Sequence, residues 1–267
     1  MLSEVSLFTT FMLAFLAINY LVFAFGGHWF FYHYLGPKIP HRRILENEAS
    51  SAQIIKEKRR SFYTQIMFMV LALVIYALYR GGFTRIYTNT DERGYLYFAL
   101  SVLIMHQLHD AYFYWTHRLM HQWKPLQKYH FVHHESAPPT PYSSLSFHPV
   151  EAFIQGLYWV IISLTLPIHV YWLFAFYSFM FYINMWGHTS YEFWHKDLLT
   201  HKVLKHLNTP THHNIHHKYH KANFSIYYNL WDKLCGTNHP EYENHYRAVK
   251  AKTELGKTSR LMKMMKL

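Results

Sequence analysis

The sequence predicts an all-α integral membrane protein: about four transmembrane helices, or three plus a re-entrant-like hairpin, carrying a helical cap on the cytosolic side. Three observations lead there. Hydrophobic residues fill 51% of the 267 positions and charged ones only 15%, where soluble domains carry about a quarter. The apolar residues are gathered into blocks, and blocks govern insertion, not the mean hydropathy of −0.11. That mean is held down by 23 His and 23 Tyr, which score as polar. Finally, the basic residues behind a net charge of +11 flank the blocks, as they do in cytoplasmic loops of membrane proteins.

In chain order, residues 7–25 form a first span of the roughly 20 residues a bilayer requires. Asn19 is its only strongly polar side chain, and aromatic residues extend it to Gly36-Pro37. Only Glu4 is charged ahead of it and no basic n-region precedes it, so a retained helix is expected in place of a cleaved leader. Residues 62–79 form a second span. Residues 95–115 form a third, whose later half turns polar at His106, His109 and Asp110; polar groups inside a membrane helix mark a site by default. Residues 152–186 are too long for one crossing and are interrupted by Pro167, which is disfavoured in a helix interior, so two shorter helices in a hairpin are expected.

Topology tests this layout. Lys38, Arg42, Arg43, Lys56, Lys58, Arg59 and Arg60 place the first loop in the cytoplasm. With a hairpin at 152–186, every histidine cluster falls on that same face. A single crossing would strand His188 and all that follows on the other. The chain divides into residues 1–95 (first spans and basic loop), 96–240 (the histidine-rich region) and 241–267, a basic tail suited to an anionic membrane surface or to solvent. Either a bacterial inner membrane or the endoplasmic reticulum fits.

A single cysteine, Cys235, excludes an intrachain disulfide and any cysteine-based zinc site. Metal ligands must then be His, Asp or Glu. Only His28, His33 and His41 precede residue 100. Beyond it, His117 and His121 form an H-x-x-x-H, while His130, His133 and His134 and then His213, His216 and His217 form two H-x-x-H-H boxes. Side chains three and four apart share a helical face, and the adjacent pair of each box points about 100° apart, so one box serves two neighbouring metals. At this histidine content an H-x-x-H-H arises by chance about 0.2 times per chain. Eight imidazoles exceed the four ligands of a structural zinc site. Imidazole also suits copper and zinc, but two irons beside a lipid-filled pocket are the expected fit, with O₂ as oxidant and electrons from an external donor.

From Asp110 to Thr237 the chain resembles the fatty acid hydroxylase superfamily, which includes sterol desaturases and C4-methyl sterol oxidases. Beside the boxes, residues 110–121 read D-x-x-x-Y-W-x-H-R-x-x-H, residues 148–151 read H-P-x-E, Gly187-His188 supplies an isolated histidine, and residues 231–237 read W-D-x-L-C-G-T. The resemblance implies a four-helix membrane core, a cytosolic cap and a di-metal site ligated by His117, His121, His130, His133, His134, His188, His213, His216 and His217. It also implies an O₂-dependent lipid hydroxylase or desaturase reduced by a cytochrome b5-like protein or a ferredoxin and its reductase. The chain departs from the family at Ser225, where Gly often follows Asn-Phe, and at Cys235, where Phe is usual.

Asp110, Glu151 and Glu192 are the candidate catalytic carboxylates. Asp110 and Glu151 are expected to accept N–H from ligating imidazoles; Glu192 is open as a ligand, an acceptor behind one or a surface residue. His212 and His220 adjoin the third box and are further candidates. Arg118 stands where an H-E-x-x-H site has its general base, against a zinc hydrolase. A bis-histidine haem protein needs its ligands at mid-membrane, and a metal carrier wants polar residues along several spans, so both are alternatives without oxygenase activity. Nucleic acid is not an expected partner.

Overall fold

The computed structural model describes residues 2–264, the side chains only as far as 256. Helix α1 (Leu2–Asn19) continues through wider π-type turns to Leu35. Asn19 Nδ2 donates within the helix to Phe15 O at 2.9 Å. Helix α2 (Ser51–Arg80) starts at Ser50, whose hydroxyl accepts the Gln53 N–H as N-cap serines do. It runs back against α1, with Arg80 paired to Glu4 at 3.0 Å. Helix α3 (Gly94–Gln122) turns at one residue, Trp123, into α4 (Lys124–His134), with Pro125 at its start. The predicted hairpin forms as α5 (Pro149–Thr165) and α6 (Val170–Gly187).

Among the described residues, Leu2–Lys38 and Ser51–Arg80 are long and apolar enough to cross a membrane, and Pro149–Thr165 is a shorter apolar helix. Large apolar side chains stand exposed on the outside of the bundle, among them Val22, Phe62, Ile66, Leu103, Ile161 and Tyr182. Apolar exposure on this scale is what interaction or membrane surfaces carry. Gly156 lets α5 lie close on α2, for a Cβ there would meet the Leu71 side chain and, at 3.2 Å, the Phe68 ring.

The two ends of the bundle differ. At the far end, β1 (Ile86–Tyr87) pairs in parallel with β2 (Ile168–His169). Tyr97 Oη donates to Pro167 O at 2.8 Å and Arg85 N–H to Ser163 O at 2.8 Å, tying the hairpin tip to the α2–α3 connection. At the near end meet the start of α2, the end of α3, α4, the start of α5 and the end of α6. The basic stretch and the histidine boxes therefore share one end: Arg60 donates to Val132 O at 2.9 Å and pairs with Glu135 at 2.8 Å. Pro138, Pro139 and Pro141 belong to a pinned loop. Ser61 Oγ donates to Tyr142 O at 2.9 Å and Thr140 Oγ1 to the buried Glu57.

The cap adds α7 (Pro210–Tyr219), α8 (Leu230–Leu234) and α9 (Tyr242–Met264). The first turns of α9 pack inward through buried Tyr242, Tyr246 and Val249. The tail's outer basic and Met residues, from Lys257 on, lie outside the described side chains.

Candidate metal centre

Caps and prolines set the short helices that carry the boxes. Thr209 caps α7 by accepting the His212 N–H at 3.0 Å, with Pro210 following; Pro at the first position is pre-set for a helix. Asn214 then pins α7 to the end of α6, its Nδ2 reaching Gly187 O, Thr189 O and Pro210 O at 3.2, 3.1 and 2.8 Å. His148 caps α5 in the same manner through Nδ1 and Val150 N–H.

The structure brings the nine histidines of the sequence reading together in two groups, each with its nitrogens within 4.8 Å of one another: His117, His121, His130, His134 and His216 in one, His133, His188, His213 and His217 in the other. Each H-x-x-H-H box is split between them. His130 and His134 face the first group and His133 the second; His213 and His217 face the second and His216 the first. This is the divergence expected of neighbouring positions on a helix.

Hydrogen bonds fix several rings by their other nitrogen. A carbonyl only accepts, so Nδ1 carries the proton where His117 meets Phe224 O, His188 meets Asn184 O and His216 meets Ala222 O, each at 2.7 Å. Their Nε2 atoms are then bare lone pairs. His130 Nδ1 meets Glu151 Oε1, also at 2.7 Å. The Nε2 of His130 lies 3.1, 2.8 and 3.0 Å from those of His117, His121 and His134; in the second group, His188 Nε2 lies 3.3 Å from His133 Nε2 and 3.2 Å from His213 Nε2. Lone pairs crowded this way repel unless a cation lies among them. Metal–nitrogen bonds of about 2.1 Å meeting at 90–110° hold nitrogens about 3.0–3.4 Å apart, so the spacing fits an ion in each group. His216 Nε2, buried and without a hydrogen-bond partner, fits as well.

Burial keeps these rings neutral. It depresses His130, His133, His134, His213, His216 and His217 well below the usual imidazole range, and His117 and His188 to about 4. A neutral imidazole is the form that ligates. Burial pushes the Glu151 carboxyl well up, and a cation on His130 would act the other way by favouring the carboxylate.

The carboxylates separate. Glu151 holds a ring of the first group. Asp110 does not reach an imidazole of either group: its Oδ1 accepts the Tyr227 N–H at 3.3 Å, because the chain from 223 to 228 returns over α3. Glu192 stands apart from both groups, with Oε2 accepting Thr211 N–H and Oγ1 at 3.1 and 2.7 Å and Oε1 accepting Trp194 N–H at 3.0 Å. The two Thr211 donors lie at the start of α7, so Glu192 anchors that helix to the chain at Trp194. His212 and His220 also stay outside the groups; His212 Nε2 lies 3.6 Å from Asp232, and His220 ends α7 with φ of 63°. Arg118 donates to Tyr114 Oη at 3.1 Å and lies over the Trp115 ring. Asp232 grips the loop over the first group, accepting Phe224 N–H at 2.8 Å and Ser225 N–H at 3.0 Å. Asn223 braces the same loop through His212 O and His239 N–H, at 3.0 and 2.7 Å. The sequence reading gave Asn223 and Asn214 no role; the only signal was the position of Asn223 beside Phe224.

A cavity of about 490 Å³ reaches the second group at His213, between Phe179, Tyr182 and Trp186 of α6 and Leu207 and Tyr227 of the cap. His106 also lines it, whereas His109 lies behind, its Nδ1 2.9 Å from Tyr227 Oη. Another cavity, about 320 Å³ and lined by apolar side chains of α1, α2, α5 and α6, reaches no histidine of either group.

The model of the fatty acid hydroxylase family matches residues 102–237, which include every member of both groups. A Delta(7)-sterol 5(6)-desaturase of Gibberella zeae is 28% identical over 221 residues, 81% of this chain and 65% of that one. Lathosterol oxidase of Homo sapiens is 26% identical over 200 residues, 74% of this chain and 63% of that one. A Delta(7)-sterol 5(6)-desaturase of Schizosaccharomyces pombe is 28% identical over 153 residues, 57% and 48% of the two chains. The chain thus spans less than two thirds of the length of these relatives. No solved structure matches it.

Proposed function

The chain belongs to the fatty acid hydroxylase family, and from that premise we propose that it is a membrane-bound oxidoreductase that uses two histidine-held irons and O₂ to oxidise a C–H bond of a lipid. The observation that carries this reading is the pair of adjoining imidazole groups with an aromatic cavity opening on one of them. The names of the relatives point to a sterol-like polycyclic lipid and to desaturation. His117, His121, His130, His134 and His216 would hold one iron; His133, His188, His213 and His217 the other. Bound there, the irons supply the reductive activation of O₂ and an oxidant able to take hydrogen from an unactivated C–H bond.

The protein's own part is positioning and exclusion of water. Glu151, Phe224 O, Asn184 O and Ala222 O fix the tautomer and direction of four rings, as outer partners of metal ligands do. Asp232 holds the loop that presents Phe224 O. The aromatic walls keep the cavity dry and orient the lipid toward His213. The basic residues at the histidine end support a cytoplasmic position for that end, with α3 and the α5–α6 hairpin completing the membrane core begun by α1 and α2. A soluble donor there, cytochrome b5-like or a ferredoxin with its reductase, supplies the electrons.

The test is metal analysis and Mössbauer spectroscopy on anaerobically purified, iron-57-grown protein, followed by incubation of sterols with O₂ and reductant. About two irons per chain with a coupled signal are expected, the signal abolished in His133→Ala and in His216→Ala by loss of one iron each, together with a dehydrogenated or hydroxylated product. A single tightly held zinc, indifferent to both substitutions, would overturn the reading in favour of a histidine-rich metal-binding protein.

A further inference from the structure

The two histidine groups open in different directions. The second reaches the cavity of about 490 Å³ at His213, which no member of the first group lines. The first comes toward the surface at Phe131 of α4 instead. That ring is 41% exposed, yet its centroid lies 6.2 and 5.9 Å from those of His121 and His134. The other phenyl rings packed on the groups, Phe113, Phe147 and Phe224, are buried or half-buried. His220, at the end of α7, completes the contact, its ring 5.5 Å from Phe131 and 4.5 Å from His134. One layer of rings separates the first group from the outside here.

The charge around Phe131 is of one sign. Lys124 and Lys128 stand seven and three residues before it, on the same side of α4. Lys218 and Lys221 flank His220, and all four lysines are exposed. Among the described residues none of them is paired with a carboxylate. Glu135 is the only acid in residues 117–135 and 213–223, and Arg60 holds it at 2.8 Å. An exposed aromatic anchor inside a rim of unpaired like charges suits a protein partner of opposite charge, whose approach the rim steers.

We propose that Phe131 and His220, framed by Lys124, Lys128, Lys218 and Lys221, form the docking face for the acidic side of a soluble one-electron donor, so that electrons enter at the first histidine group and lipid at the second. This rests on the reading that the groups hold irons reduced from outside. Each docking oxidises one donor by one electron. Two such electrons, two protons and O₂ leave one water when the lipid is hydroxylated and two when it is desaturated.

Binding of the acidic haem domain of cytochrome b5 to the full chain in phosphatidylcholine nanodiscs tests this without turnover. It should be saturable and weaken about tenfold between about 50 and 300 mM salt. Lys124→Glu combined with Lys128→Glu should weaken it about tenfold, as should Phe131→Ala. The lysine variants leave every ring in place, so their loss reports docking and not damage to the metal groups. Lys196→Glu combined with Lys202→Glu, the same charge change on exposed lysines of the cap, should change binding by less than about twofold at 150 mM salt. Equal loss from both lysine pairs, or full binding after Lys124→Glu with Lys128→Glu, would overturn the face. Anionic lipid retained by the purified parent and lost from that variant, with donor binding intact, would give the face to the membrane and overturn it too. Face-specific docking on a chain that holds no iron would overturn the oxygenase reading and leave the face standing. Lipid oxidation by the Lys124→Glu, Lys128→Glu variant at the parent's donor affinity would do the reverse.

Discussion

His169 at the far end of the bundle and His188 at the near end are equally inaccessible, at 0% and 1% exposure. His169 uses both nitrogens on backbone: Nδ1 accepts Tyr171 N–H at 3.2 Å and Nε2 donates to Thr88 O at 2.9 Å. His188 uses only Nδ1 that way, and its Nε2 faces the nitrogens of His133 and His213. Burial is therefore not what distinguishes a candidate ligand. The distinction is whether the second nitrogen ends on a proton acceptor or on other lone pairs, and only the second arrangement needs a cation.

Substitution at the two ends breaks the comparison most directly. His216→Ala and His217→Ala alter adjacent residues assigned to different groups, so each should remove about one of two ions and the pair both. His169→Ala should leave the metal count intact and cost about 1–3 kcal/mol of stability through its unpaired backbone partners. Metal analysis beside thermal unfolding separates these outcomes. If the two adjacent substitutions deplete the same ion, the division into two groups is wrong. Glu151→Gln is a milder cut. It keeps the shape but loses the carboxylate behind His130, and metal affinity at the first group should fall about 10–100-fold, with the second unaffected.

Acid probes the same contrast. His117 and His188 are depressed by burial to about 4, whereas an unfolded chain takes up protons below about 6.5. Between those values the unfolded state binds more protons, so stability falls as pH drops through 6.5 toward 4, by about 1.4 kcal/mol per pH unit for each ring. Above pH 7 both states are neutral and these rings add no slope. Unfolding of metal-free protein at pH 7.5, 6.0 and 5.0 measures it. A midpoint unchanged from pH 7.5 to 5.0 would mean that the rings are not held neutral by the fold.

Much of this was legible in the sequence. Spacing alone sets how the box helices diverge, so the split of His133 from His134 and of His216 from His217 was expected. The hairpin was legible because Pro167 interrupts a block that topology would not accept as one crossing. Tertiary partners were not legible. Asp110 looked equivalent to Glu151, but which carboxylate meets an imidazole depends on where residues 223–228 fold over α3, and no local pattern encodes that return. Asn214 and Asn223 do their work through backbone carbonyls and amides remote in sequence, which leave no mark in residue spacing.

Glu192 sharpens the comparison at its finest point, because the sequence left it open as a ligand. Its two oxygens accept three donors at the start of α7 and beside Trp194, and Lys250 Nζ lies 3.9 Å away. Replacing one oxygen by an amide nitrogen leaves at least one of those donors without an acceptor. Glu192→Gln should thus lower stability by about 1–3 kcal/mol, while metal content and the spectroscopic signature of both ions stay as in the parent. The small effect is informative because α7 carries His213, His216 and His217: a helix anchored this firmly can lose one hydrogen bond without turning its histidines away. Loss of an ion from this variant at full thermal stability would instead make Glu192 a ligand and the α7 anchor secondary.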